Sequence, residues 1–153
     1  MKRKEQSTIA TKKVNEMKLK LPSLSVNESV ARATVAAFCA QMDPGAMELA
    51  DIKCAVSEAV TNCIVHAYPD QLGNITLRCR ILKDNILDIV IKDKGIGIGD
   101  IEQARRPAYT TGGNERSGMG FTIMESFMTQ LEISSRPGKG TTVHMRRKLQ
   151  RRQ

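Results

Sequence analysis

Residues 75–93 read ITLRCRILKDNILDIVIKD, and the fold turns on them. Ile75, Leu77, Cys79 and Ile81 alternate with Thr76, Arg78 and Arg80, the period of a strand with one buried face. Lys83, Asp84 and Asn85 supply turn chemistry, and Ile86–Asp93 resumes as a second strand, so the segment predicts a β-hairpin. Asp93 shares parity with Leu87, Ile89 and Ile91, which puts its side chain on the buried side. A carboxylate buried there is costly unless something donates to it.

Downstream, a Gly-rich stretch spans 93–120 and a helix is expected from about 120 to 130. A second hairpin follows, Leu131–Arg136 and Thr141–Leu149 around Pro137-Gly138-Lys139-Gly140. Upstream, Val14–Leu21 alternates weakly and predicts an edge strand. Ser25 and Glu28 have capping-box spacing, so an Ala/Val-rich helix should run to about Gln41. Asp43–Pro44 predicts an N-cap with Pro at the first helical position. That second helix should end near Ala67, where Tyr68–Pro69 stops it. The expected architecture is an α/β (α+β) two-layer sandwich, with helices on one face of a mixed, mostly antiparallel sheet.

The length of 153 residues suits one domain at 14–149, between a flexible basic extension at 1–13 and a basic tail at 150–153. A hydrophobic fraction of 41% argues against disorder, and with no Trp, two Tyr and three Phe the core must be aliphatic. The same scarcity removes the aromatic platforms that single-stranded nucleic acid needs. The net charge is +8, but +4 of it falls in residues 1–13 and +5 in 144–153, leaving −1 for the body. Basic ends on a neutral body read as solvated tails, not as a direct nucleic-acid surface. Cys39, Cys54, Cys63 and Cys79 form no CxxC pair, and each lies in an apolar segment, which predicts small buried hydrophobes. Free thiols, no apolar stretch after the basic start and no membrane-length segment together predict a cytoplasmic protein off the membrane.

On the second helix, Glu58, Asn62 and His66 recur at i, i+4 and i+8, along one stripe. Leu49, Ile52, Val56, Val60, Cys63 and Ala67 take roughly the opposite side. A polar stripe is ordinarily a solvated face. Ala55 and Ala59, which flank this one, argue otherwise, because small neighbours leave room for a ligand. A carboxylate can orient or deprotonate a nucleophile, and an amide oxygen is a hard ligand for Mg2+.

The next signal is Asp93-Lys94-Gly95-Ile96-Gly97. An adenine amino group or a protein donor would satisfy Asp93, and the glycines allow backbone to approach a flat base. Gly118-Met119-Gly120 precedes a helix, where free N–H groups can meet phosphate. Thr110, Thr111, Gly112, Gly113 and Arg116 before it read as a polar lid, with Arg116 able to reach phosphate oxygens. Thr141, in Gly140-Thr141-Thr142, shares parity with Val143 and Met145 and should face inward. A P-loop, the protein-kinase motifs and a dinucleotide fingerprint are all absent. His144 reads as a strand-face residue.

Each motif is weak alone, but their order is specific. E-x-x-x-N on a helix, D-x-G-x-G after a strand, G-x-G before a helix and G-T-T on a last strand resemble the GHKL (Bergerat-fold) ATPases. SEAVTN (57–62), DKGIGI (93–98), TTGGNERSGMGFTIME (110–125) and GTTV (140–143) are similar to one branch, the bacterial anti-sigma factors with serine kinase activity, nearest the sporulation kind. The likeness covers roughly residues 15–147. It implies Glu58 as catalytic base, Arg116 on the terminal phosphate and Asn62 as the Mg2+ ligand. It implies ATP contacts from Asn62, His66, Asp93, Gly95, Gly97, Thr110, Thr111, Gly118, Gly120 and Thr141. Arg32, on the first helix, matches a partner-contact position. The implied partners are a sigma-F-like sigma factor, bound by a homodimer, and an anti-anti-sigma protein phosphorylated on serine. The lid segment Gly112–Gly113–Asn114 is shorter and more Gly-rich than the family pattern.

Three alternatives stay open: a stress-response relative, an ATP-dependent binding protein without kinase activity, and the catalytic domain of a histidine kinase. The last needs a phosphoacceptor His on a helical hairpin, and His66 runs straight into Tyr68–Pro69.

Overall fold

A computed structural model describes residues 12–106 and 119–150. Five strands form one sheet: β1 (Lys13–Pro22), β2 (Asn74–Leu82), β3 (Ile86–Asp93), β4 (Gln130–Arg136) and β5 (Gly140–Lys148). Their order is β1-β2-β3-β5-β4, and all four pairings are antiparallel. β1 is an edge strand, as its weak alternation predicts. At the β2–β3 turn, Asp84 (φ 67) and Asn85 (φ 62) take left-handed backbone, which short polar side chains tolerate. β5 pairs with β3 and not only with its hairpin partner β4, and this brings Thr141 opposite Asp93.

The helices are α1 (Asn27–Cys39), α2 (Ala46–Asn62), the short α3 (Ile101–Arg105) and α4 (Gly120–Phe127). The core between helices and sheet is aliphatic, as composition requires. Val35, Ile52, Val56, Val60, Leu87, Ile89, Ile91, Met124 and Met145 are buried in it. Burying each such side chain is worth about 1.5–3 kcal/mol, which is what holds the helical layer to one face. Cys39, Cys63 and Cys79 lie in this core, and burial pushes the Cys39 thiol up to about 11 and that of Cys79 to about 12. Cys54 departs from the expectation: it is exposed on α2.

The helix starts also differ from the capping signals. At α1 the N-cap is Val26, without a side-chain cap, and Ser25 supplies only a backbone carbonyl to the Glu28 N–H. The Glu28 carboxylate instead accepts from Ser57 on α2 and pairs with Arg32 at 3.6 Å. Packing between two helices has thus taken the side chain that a capping box needs. At α2, Asp43 is left-handed (φ 51) and Gly45 is the N-cap. Glu48 Oε1 accepts the Gly45 N–H at 2.9 Å, so this start is satisfied from inside the helix. α4 ends at Phe127, short of the expected 130. Inside the Gly-rich stretch, α3 forms because Asp100 Oδ1 accepts from Gln103 N at 3.0 Å.

Candidate functional site

The site lies where the end of α2, the end of β3, the start of β5 and the start of α4 meet. α2 is regular to Asn62 and continues as a π-turn over Cys63–Ala67. Of its expected apolar stripe, Ile52, Val56, Val60, Cys63 and Ala67 are buried, and Leu49 is half-buried against the core. Glu58, Asn62 and His66 are half-buried. The wider π-turn lies between Asn62 and His66 and carries His66 off the line that a continuous α-helix would give. Ala55 and Ala59 do not border open space. Both are completely buried in the core, so their small size serves helix packing.

What faces the polar side of α2 is Gly120, the first residue of α4. A Cβ placed on Gly120 would lie 3.2 Å from Glu58 Oε2 and 3.4 and 3.5 Å from Asn62 Nδ2 and Oδ1. A helix start, whose first N–H groups lack intrahelical carbonyls, therefore adjoins a carboxylate and an amide. Thr110, Thr111, Arg116 and Gly118 lie outside the described residues.

The other end of the site centres on Asp93, which is buried. Its Oδ1 accepts from Gly95 N at 2.9 Å and from Thr141 N at 3.2 Å. Its Oδ2 accepts from the Cys63 thiol at 3.5 Å. Burial first, then the charge and hydrogen bond of Asp93, push the Cys63 thiol well above its ordinary range. Thr141 Oγ1 lies 2.8 Å from Ser135 Oγ, and Ser135 Oγ also accepts from Ile98 N at 2.7 Å. Ser135 thus ties β4, β5 and the glycine loop together. A surface cleft of about 410 Å3 opens beside it, lined by Ile101, Ser134, Ser135, Arg136, Lys139 and Gly140. Ser135 is shared by the cleft and the site, but no described residue to which the sequence assigns a catalytic or ATP-binding role lines the cleft.

Two glycines are required here by the approach of protein backbone. A Cβ on Gly95 would come within 2.2 Å of Ala67 O, and the next residue, Ile96, donates its N–H to that carbonyl at 3.0 Å. Gly97 has φ 78, and its Cβ would sit 2.1 Å from Arg136 O. Tyr68 Oη accepts from Lys94 N at 2.7 Å and donates to Asn74 O at 2.9 Å, which latches the loop to the start of β2. Sequence reasoning missed Cys63, Tyr68 and Ser135. Their signal is long-range pairing, invisible to spacing within one segment.

Arg32 is not brought into this site. It is half-exposed on α1 and reaches α2 through Glu28 and Ser57, the residue before Glu58. Among the described residues no cluster of three His, Cys, Asp or Glu side chains stands ready for a metal, and no helix is long and apolar enough to cross a membrane.

Residues 21–147 match the family described as histidine kinase-like ATPase domain. The chain belongs to that family. Within it, an anti-sigma F factor from Caldanaerobacter subterraneus subsp. tengcongensis is 58% identical over 132 residues, 86% of this chain and 92% of that protein. The anti-sigma F factor of Bacillus licheniformis is 52% identical over 88% of this chain and 93% of its own length. The chain is therefore a member of the anti-sigma F factor group. Among solved structures, the RsbU and RsbW domains of a Mycobacterium tuberculosis protein superpose with a TM-score of 0.68 over 91% of this chain, at 19% identity. This chain spans 34% of that structure, and the match establishes the fold alone. The GHKL-type sandwich expected from the four motifs is the fold observed.

Proposed function

We propose that this chain is a cytoplasmic anti-sigma factor that, as a homodimer, sequesters a sigma-F-like sigma factor and phosphorylates a serine of an anti-anti-sigma protein with Mg-ATP. The observation that carries the reading is the meeting of Glu58, Asn62 and Gly120 at one point, with the Asp93 cluster at the other end of the same site. Membership of the anti-sigma F factor group supports the sigma-factor partner.

The adenine amino group donates to Asp93, beside Thr141 and the Gly95–Gly97 loop. The phosphates run toward the N-terminus of α4, whose free N–H groups and dipole favour negative charge. Asn62 fits Mg2+ through its amide oxygen. Gly120 puts no side chain where a Cβ would lie 3.5 Å from that oxygen, and Mg2+ keeps several waters and needs few protein ligands when phosphates supply the rest. Bound there, Mg2+ would neutralise charge on the phosphate oxygens.

Glu58 orients the seryl hydroxyl and takes its proton. The seryl oxygen forms a bond to the terminal phosphorus as the bond from that phosphorus to the bridging oxygen breaks, and ADP leaves with the electron pair. Arg116, Gly118, Thr110, Thr111 and His66 complete the phosphate side. Arg32 stands on the partner surface. The new phosphate adds nearly two negative charges to the anti-anti-sigma protein, enough to eject it from an interface.

Purified chain, radiolabelled ATP and an anti-anti-sigma protein test this directly. Label should enter the partner and survive acid, as phosphoserine does and phosphohistidine does not. Glu58→Gln should keep ATP binding and lower transfer by about 10²–10⁴-fold. Undiminished transfer by Glu58→Gln removes that residue's role, and acid-labile product removes serine as the acceptor.

A further inference from the structure

Cys63 follows Asn62 in the chain and touches Asp93 in space, so one residue joins the two ends of the site. The donors around Asp93 divide unequally. Oδ1 takes two backbone N–H groups, from the loop after β3 and from β5. Among the described residues, Oδ2 takes only the Cys63 thiol, at 3.5 Å. A carboxylate has about four lone-pair sites on its two oxygens, and a thiol is a weak donor, so Oδ2 is steadied without being saturated.

We propose that Cys63 is a positioning residue that sets selectivity for a 6-amino purine, by holding the Asp93 carboxylate so that Oδ2 faces the amino group of the base. The proposal rests on the reading of this site as an ATP pocket. Any turn about the Cβ–Cγ bond carries both oxygens, so the two backbone donors on Oδ1 already resist it and leave only small swings of the group. The thiol, approaching Oδ2 from α2, narrows those swings from the side where the base would donate. A purine carrying an amino group at position 6 donates to the fixed oxygen. One carrying a carbonyl there sets acceptor against acceptor, and one carrying hydrogen gains nothing from it. A site built to receive a donor discriminates through such unmatched polar groups.

The test compares ATP with purine riboside triphosphate, which lacks only the amino group, by calorimetric titration in the presence of magnesium. Wild-type protein should prefer ATP. Cys63→Val, which fills the space but cannot donate, and Cys63→Ala should each weaken ATP about 3–10-fold, the loss of one weak hydrogen bond. Both should leave purine riboside triphosphate unchanged within about twofold, because that ligand never uses Oδ2. Cys63→Ser restores a donor and should recover most of the preference. Equal weakening of both ligands would mean that Cys63 only packs the core, and would overturn the proposal while leaving the ATP pocket intact. A Cys63→Val protein with the wild-type ratio overturns it as well. Wild-type protein that binds neither ligand defeats both the pocket and this inference.

Discussion

Strand β3 carries two buried aspartates five positions apart on opposite faces of the sheet, and they are treated in opposite ways. Asp93 faces the helical layer and is held by neutral donors, two backbone N–H groups and a thiol. Asp88 faces the open side and is held by cations. Arg80 donates twice to its Oδ2, at 3.1 and 3.0 Å, and Arg146 Nε donates to Oδ1 at 2.7 Å. His144 Nε2 reaches the same Oδ1 at 2.5 Å. Burial alone would raise the Asp88 carboxyl, but His144, Arg146 and Arg80 outweigh it and hold the group well below the usual carboxylate range. A carboxylate enclosed by charged partners is a strut. One given weaker, incomplete satisfaction beside a helix terminus is built to take something else.

The largest expected contrast comes from exchanging one acceptor for a donor at each. Asp93→Asn keeps an oxygen for Gly95 and Thr141 but presents an NH2 group where the adenine amino group would donate. ATP affinity should fall about a hundredfold, with little change in melting temperature. Titration calorimetry and thermal denaturation on the same sample check both halves. Intact ATP binding by Asp93→Asn would break the contrast at its functional end.

Asp88→Asn should do the reverse. It leaves Arg80, Arg146 and His144 around a neutral side chain, a loss of about 1.5–3 kcal/mol of stability with nucleotide affinity unchanged. The sign of the pH dependence follows from the depressed folded value. The carboxylate contributes fully above the ordinary aspartate value of about 3.9, and its contribution is lost as pH falls from there through the folded value. The stability gap between wild type and Asp88→Asn should therefore be widest near neutrality and close below about pH 4. Urea denaturation at several pH values reads it, and a gap that widens in acid contradicts the assignment.

The two aspartates also mark how far the sequence could be read. Parity alone places Asp93 inward, because Leu87, Ile89 and Ile91 define the buried side within one segment. Parity alone also sends Asp88 outward to solvent, and there it misleads. Asp88 is enclosed because β2 sets Arg80 and β5 sets Arg146 opposite it, and no spacing within one segment reveals the β5 neighbour. The same limit explains the glycines. Gly95 and Gly97 were legible as necessary, but the contacts that require them, Ala67 O and Arg136 O, come from elements 28 and 39 positions away in sequence. Strand positions and the apolar stripe of α2 were legible because their period is local. Helix starts were not, because Glu28 and Asp43 are claimed by partners or backbone geometry that local propensity does not weigh.

The smallest expected effect tests the far end of the site from Asp93. In Gly120→Ala the added methyl would press on Glu58 Oε2 at 3.2 Å and on the Asn62 amide at 3.4 and 3.5 Å, which is tight but movable. Alanine is the better helix former, so the fold should lose nothing, and the melting temperature should hold or rise slightly. ATP binding, carried mainly by the base at Asp93, should change less than about threefold, a fraction of one hydrogen bond. Transfer should fall further, about tenfold, since the methyl takes space that Glu58, the seryl hydroxyl and the terminal phosphate must share. The informative quantity is the split: a lower kcat with nearly constant KM for ATP. If KM rises and kcat holds, Gly120 adjoins the bound nucleotide without touching the reacting groups, and Glu58 must reach the hydroxyl from its other side.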